Sequence, residues 1–381
     1  ISRLEHLVGP THMVPYTQRQ YWSSLLRTGA LEMHYQPLLE LKTGRVAKVE
    51  ALARLRDGKG MLTPSIFFPA LPSDDFVELY TLGLGQALAQ RNRWLEDGLD
   101  LQISINLPSS ALGDIRYFHA TQRALGEHGC TPYRLTLEIL ETEEISPTVD
   151  VMGELLRFKA LGVNLAEDDL GSGYSSLNRL RAFPFDAIKI DRSIVMNAGQ
   201  DSSNVLRFIY QLTRLGHSLG KLVIVEGVEN PDLLEAITIL GADIVQGHAV
   251  ASPMTAQELT RWMRQQTLPQ IPDPQQPRSL LAKLARLLIW EEHLHLLVDE
   301  SPERKKTAFG TLAARGAFPP RARVNRGDNR SVGEMEQSLP FLTIDPAMQQ
   351  ALILAAVNHG LRSTEYSQAR QQLVLARISG N

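Results

Sequence analysis

Between residues 30 and 256 the hydrophobic positions fall into short β-rich runs separated by longer stretches of helical spacing. Eight runs predict strands: Leu31–Leu38, Val46–Leu55, Leu101–Leu107, Arg134–Leu140, Asn164–Asp168, Ala187–Ile190, Leu222–Glu226 and Ile244–Gln246. Val151–Leu161 and Asn204–Leu219 carry the spacing of helices. Leu41-Lys-Thr-Gly-Arg45 reads as a hairpin turn, which makes the first pairing antiparallel. Elsewhere strand and helix alternate, and a parallel pairing needs such a crossover. This pattern predicts an α/β fold, best matched by a closed (β/α)₈ barrel with an antiparallel first strand. A doubly wound open sheet is the competing architecture, which periodicity leaves open.

The alternation stops at Leu268-Pro-Gln-Ile-Pro-Asp-Pro-Gln-Gln-Pro-Arg-Ser279. Its four prolines each fix φ and remove a donor, so the segment is expected to be a semi-rigid linker. The expected organisation is a helical lead-in over 1–29, the barrel over 30–267, the linker over 268–279 and a small, mostly helical module over 280–381. In that module Leu280–Leu297, Pro346–Leu361 and Gln368–Ile378 read as helices, and Gly310–Ser338 as loop.

Charge sharpens the division. The chain of 381 residues has 39 Lys+Arg against 42 Asp+Glu, a net of -3. From Arg278 onward there are 14 basic and 10 acidic residues, leaving 25 against 32 before it, so an acidic block precedes a basic one. With 43% hydrophobic and 21% charged residues, wholesale disorder is excluded. Cys130 is the single cysteine, which excludes an intrachain disulfide and a cysteine metal cluster and fits a reducing, cytoplasmic setting. No apolar run is long enough to span a bilayer.

The chemistry lies where polar residues interrupt the predicted strands. Glu50, Asn106, Glu138, Asp168, Asp169, Lys189, Glu226 and Gln246 each lie in or at the end of an apolar run. A carboxylate in a buried strand is costly unless paired, hydrogen-bonded or metal-bound. In a barrel these residues would converge on the C-terminal face. Asp168 and Asp169 point to opposite faces of a regular strand, so both serve one site only where the strand ends. Gly171-Ser-Gly173 follows at once. Adjacent carboxylates repel unless a cation lies between them, and an oxygen-only donor set selects Mg²⁺ or Mn²⁺. No histidine occupies these positions, which argues against a zinc hydrolase.

Five ordered motifs resemble the EAL family of cyclic di-GMP phosphodiesterases. They are Glu50-Ala-Leu52 followed by Arg54, Asp168-Asp-Leu-Gly-Ser-Gly-Tyr-Ser-Ser176, Ile188-Lys-Ile-Asp-Arg-Ser193, Val225-Glu-Gly-Val-Glu229 and Val245-Gln-Gly247. The likeness runs from Tyr35-Gln-Pro37 to Ser252-Pro253. It implies hydrolysis of cyclic di-GMP to linear pGpG with two divalent metals, and a homodimer. The resemblance makes Glu50, Asn106, Glu138 and Asp168 ligands of one metal, with Asp168 and Asp169 holding the second. Lys189 would orient water or neutralise phosphate, Glu226 would act as or support the general base, and Gln246 would hold the water network. Leu52 and Arg54 would touch substrate, Glu141 would steady the loop after the paired aspartates, and Glu229 would lie behind the metal ligands. Calcium, with looser coordination, is expected to inhibit. Leu170, Ser172, Val225 and Leu55 replace the usual Phe, Thr, Ala and Trp, and no ligand is missing. A catalytically silent receptor for the same dinucleotide is the alternative.

Other features carry less. His34 reads as structural, and His248 as a loop residue at the barrel mouth with a guanine edge in reach. The basic stretch Arg304-Lys-Lys306 through Arg321, Arg323, Arg326 and Arg330 lacks stacking aromatics, so nucleic-acid binding is not expected. Trp290, His293 and His359 could face one another around a haem or metal, although a plain helical bundle explains them as well.

Overall fold

The structure is a computed structural model that describes residues 14–140, 150–170, 177–196, 202–265, 269–298, 355 and 364–378. Glu141, the loop from Gly171 to Ser176, the basic stretch from Arg304 to Arg330 and His359 lie outside the described residues, as does the side chain of His293. Of the predicted helix Pro346–Leu361, Ala355 alone is described.

Nine strands form one sheet: β1 (Leu31–Glu40), β2 (Arg45–Arg56), β3 (Met61–Leu62), β4 (Gln102–Leu107), β5 (Leu135–Leu140), β6 (Asn164–Leu170), β7 (Ala187–Ile190), β8 (Leu222–Val225) and β9 (Ile244–Val245). β1 pairs with both β2 and β9, which closes eight strands into a barrel and excludes the open sheet. Both pairings of β1 are antiparallel, while β2, β4, β5, β6, β7, β8 and β9 follow one another in parallel. The predicted hairpin joins β1 to β2, its turn carried by Gly44 at φ 68°. β3 is a short antiparallel addition to the end of β2 that periodicity did not predict.

The helices predicted over Val151–Leu161 and Asn204–Leu219 are observed as Val151–Ala160 and Ser202–Ser218. The longest described helix, Ser73–Glu96, packs on β1 and β4, with Gly83 facing Met33 and Ile105, and puts Asp74 and Asp75 in its first turn, where they complement the helix dipole. A capping box between Thr255 and Glu258 starts Ala256–Arg264.

Pleating explains how fully buried strands still present a polar face. On β4, Ile103, Ile105 and Leu107 alternate with Ser104 and Asn106; on β5, Leu135, Leu137 and Ile139 alternate with Thr136 and Glu138. The apolar set meets the helices, and the polar set faces the barrel axis. Below the polar residues, Leu38, Ala166, Ala187 and Ile224 pack together with Ile244.

The chain divides into two compact units. The first comprises residues 1–201, 211–234 and 241–271 and holds every described strand. The second comprises residues 202–210, 235–240 and 272–381. Within it, Glu235 accepts the backbone N–H groups of Arg278 and Ser279 at 2.7 and 2.8 Å, just before helix Leu280–Val298. Buried Glu291 on that helix accepts from Arg207 at 3.1 Å and from Arg370 of helix Thr364–Ile378. Trp290 is buried beside it, as a packed helical module requires.

Candidate active site

The inward polar residues of six neighbouring strands meet at one end of the barrel. Glu50 on β2 stands opposite Gln36 on β1, and Asn106 on β4 stands beside Glu138 on β5. Asn106 Nδ2 donates to Glu50 Oε1 at 2.8 Å, and Gln246 Nε2 donates to Glu50 Oε2 at 2.6 Å. Gln246 Nε2 also reaches Gln36 Oε1 at 3.0 Å, and Gln36 Nε2 donates to Ala251 O at 3.1 Å. Glu50 is thereby fixed through both oxygens.

Two strands end one residue earlier than the pattern predicts. β8 and β9 stop at Val225 and Val245, so Glu226 and Gln246 lie just past the strand ends. Each backbone N–H still bonds to the neighbouring strand, Glu226 to Ile190 O and Gln246 to Val225 O. The chain then turns at Gly227 (φ 67°) and Gly247 (φ 154°), conformations that favour glycine.

Asp168 and Asp169 reach one site by another route than the expected strand end. β6 continues through Leu170, but its register against β7 shifts between Glu167 and Leu170. Asp169 takes φ 60°, alone among the described non-glycine residues in having positive φ. This bulge breaks the alternation of faces. Oxygens of Asp168, Asp169 and Glu226 lie within 4.8 Å of one another.

Lys189 occupies the middle of the acids. Its Nζ lies 2.6 Å from Glu138 Oε2, 2.6 Å from Glu226 Oε1, 3.1 Å from Asp168 Oδ1 and 3.7 Å from Glu50 Oε2. Lys189 and Glu138 are 1% and 0% exposed, so water screens little of this attraction. The carboxylates around it hold the ammonium well above the usual lysine range although burial disfavours its charge. Burial would raise Glu50, but Lys189 and the bonds from Gln246 and Asn106 outweigh it and hold that carboxyl below its usual range.

One ammonium does not neutralise the whole cluster. Burial, then repulsion from Glu50 and Asp168, push Glu138 to about 8 despite Lys189. Burial likewise pushes Glu226 to about 8, with Lys189 opposing and Asp168 and Glu50 adding. Asp169 rises to about 8 through burial, the Asp168 charge and a hydrogen bond to Asp191. Glu138 Oε1 is buried without a hydrogen-bond partner. Five carboxyl groups around one ammonium, oxygen donors throughout and an unpartnered buried oxygen fit divalent cations of the Mg²⁺ and Mn²⁺ type.

Gln36, Glu50, Leu52, Asn106, Asp168, Lys189, Arg192, Glu226, Glu229, Gln246 and His248 line one cleft of about 340 Å³, within the ~300–1,000 Å³ range of ligand pockets. Asp169 lies at its edge beside Asp168. Arg54 does not line the cleft; its Nη1 donates to Ala53 O at 2.8 Å. Three further contributors escaped the sequence reading. Gln36 stood in a recognised motif but had no assigned role. Asp191 and Arg192 lie just past β7, which ends at Ile190, and that turn aims Asp191 at Asp169 and Arg192 at the cleft. His248 is exposed at the mouth, as a loop residue, and also lines the cleft.

Comparison with known proteins converges on this part of the chain. The family model for the EAL domain matches residues 19–253, well over half of the chain. A cyclic di-GMP phosphodiesterase of Pseudomonas aeruginosa, RocR, is 33% identical over 234 residues, 61% of this chain and 59% of its own length. An uncharacterised Sinorhizobium fredii protein is 34% identical over 235 residues, 61% of this chain and 28% of its own. The chain thus spans between about a quarter and three-fifths of these relatives. Among solved structures, the PaMucR phosphodiesterase in complex with c-di-GMP superposes with a TM-score of 0.59 and 30% identity, covering 64% of this chain and 99% of that one.

Proposed function

Because the chain belongs to the EAL domain family, we propose that it hydrolyses cyclic di-GMP to linear pGpG with divalent metal ions at the carboxyl cluster. The observation that carries this reading is the gathering of Glu50, Glu138, Asp168, Asp169 and Glu226 around Lys189 at the mouth of the barrel. Such a cluster is an electrostatic liability in a protein without cations and a binding site in their presence.

Glu50, Asn106, Glu138 and Asp168 would hold one ion; Asp168 and Asp169 would hold a second. Bound there, Mg²⁺ or Mn²⁺ would lower the pKa of water and stabilise negative charge on the phosphate. Glu226 is placed to take the proton of the attacking water. The water oxygen forms a bond to phosphorus, the bond to the 3′ oxygen breaks, and that oxygen takes a proton from solvent to leave as a hydroxyl, while Glu226 returns its proton to solvent. Lys189 donates to the reacting phosphate or the water, where charge develops. Gln246 keeps Glu50 oriented; by resemblance Glu141 would steady the loop after the paired aspartates, and Glu229 would lie behind the metal ligands. Leu52 and Arg192 flank the substrate in the cleft, and Arg54 would reach a phosphate only by leaving its bond to Ala53.

No helix among the described residues is long and apolar enough to cross a membrane. A cytoplasmic homodimer, with the module after residue 279 regulating turnover or assembly through the 268–279 linker, completes the proposal. The test is incubation with cyclic di-GMP and Mn²⁺ followed by chromatography of the products. Linear pGpG is expected; binding of the cyclic dinucleotide without any product would instead identify a receptor.

A further inference from the structure

Lys48 is buried inside the barrel but does not belong to the acid cluster. It lies two residues before Glu50 on β2 and therefore shares its inward face, one layer deeper. The residue is 8% exposed, and its Nζ donates to Thr136 Oγ1 at 2.8 Å. Thr136 stands two residues before Glu138 on β5. Ser104, between them on β4, is fully buried, and its Oγ has no hydrogen-bond partner. The rest of this layer, Leu38, Ala166, Ala187 and Ile224, is apolar.

A hydroxyl is a poor sole partner for an interior ammonium, and removal of a lysine from water is costly without compensating charge. Compensation is available one layer up, in the carboxyl groups that Lys189 leaves only partly neutralised. Attraction of this kind acts through a low-dielectric interior and needs no direct contact. Burial pushes the Lys48 ammonium below the usual lysine range; Glu138 one layer up and then Asp186 oppose this, while Lys189 adds to it.

We propose that Lys48 is a built-in counter-charge beneath the acid cluster, a positioning residue that lowers the affinity of the site for divalent cations. The same positive potential that steadies the carboxylates repels a dication above them, and it does so with twice the force felt by a single charge. Lys48 thus sets the metal concentration at which the site fills. This inference rests on the metal site of the proposed function.

The experiment is Mg²⁺ binding to the full chain by titration calorimetry at pH 8.5, with thermal melts in EDTA and in fixed Mg²⁺. Lys48→Met and Lys48→Gln both remove the charge, so that failure of one variant to fold leaves the other informative. Each is expected to bind Mg²⁺ at least about tenfold more tightly than the wild type, since a dication one layer above an interior ammonium is strongly repelled. By linkage, the rise in melting temperature on adding Mg²⁺ should also exceed that of the wild type. A lysine that only fills space predicts altered melting in EDTA with unchanged Mg²⁺ affinity and unchanged gain, and that result overturns the proposal. A wild type that binds no Mg²⁺ overturns the metal site itself, and the role of Lys48 with it.

Discussion

Lys189 Nζ lies 2.6 Å from Glu226 Oε1 and equally close to Glu138 Oε2, so one ammonium bridges a carboxylate of β5 and one just past β8. Replacement by methionine leaves both acids without their nearest cation. Loss of one partner of a buried ion pair costs about 3–5 kcal/mol. Lys189→Met is therefore expected to melt well below the wild type in EDTA and to recover much of the difference in Mn²⁺. Its kcat should fall by about 10²–10³, the scale of losing a charge-stabilising donor. A variant with wild-type kcat would remove Lys189 from the chemistry.

The metal-free protein should lose stability as pH rises. Glu138, Glu226 and Asp169 are each held near 8, above ordinary values of 4.5 and 3.8. From about pH 4 to 8 the folded chain then binds more protons than the unfolded one, and stability falls as these are lost. Above that window the penalty is complete. Melting temperature in EDTA is expected to drop between pH 6 and pH 9, and saturating Mn²⁺ should flatten the profile. A metal-free profile that rises over this range would contradict the crowded cluster.

Asp169 pairs its proposed role as a metal ligand with a left-handed backbone at φ 60°. Asparagine tolerates that conformation, whereas a β-branched residue incurs about 1–2 kcal/mol. Asp169→Asn should melt near the wild type yet turn over slowly, because a neutral amide binds the second cation poorly. Asp169→Val should lose both stability and activity. Equal melting temperatures for the two variants would show that the bulge is not maintained by this residue.

Most of the barrel was legible in the chain because its strands are marked twice, by apolar runs and by the polar residues that end them. All eight barrel strands were found, and the hairpin at Gly44 disclosed the antiparallel start. Two-residue β3 has too short a period to register. The bulge at Asp168 and Asp169 was hidden for a different reason, since register depends on the partner strand β7. The gathering of the acids was legible because each interrupts or ends an apolar run. Lys48 interrupts such a run as well, yet it lies beneath the mouth and resembles the edge charges common on strands. Its interior position follows from barrel closure.

Asp168 would contribute to both proposed metal positions, which would make it the most sensitive ligand. Asp168→Asn is expected to show no turnover even at saturating Mg²⁺, while retaining the fold, as near-ultraviolet circular dichroism would record. Calcium should fill the wild-type site without supporting turnover, because its longer, more flexible coordination misplaces the water. Hydrolysis by Asp168→Asn, or full turnover with Ca²⁺ as the only metal, would refute the two-ion arrangement.

Gly247 joins the two loops that carry Glu226 and Gln246. A Cβ at this position would lie 2.3 Å from Val228 O and 2.4 Å from Val228 N, and φ is 154°. The clash is with backbone, and the loops are already tied by Val228 N to Gln246 O at 3.1 Å and Ala249 N to Val228 O at 2.8 Å. Neither partner can swing aside as a long side chain would. Gly247→Ala should thus separate the loops, at a cost of about 1–3 kcal/mol typical of overpacking. Glu226 and Gln246 would shift together, whereas Glu50, Asn106 and Glu138 stand on other strands and stay in place. The expected result is a kcat about 10- to 100-fold lower, since a displacement of about 1 Å in a catalytic group has effects of that order. Mg²⁺ binding by calorimetry should change much less. Wild-type kinetics in Gly247→Ala would show that the loops accommodate a side chain without moving the acid, and that Glu226 is positioned by β8 alone.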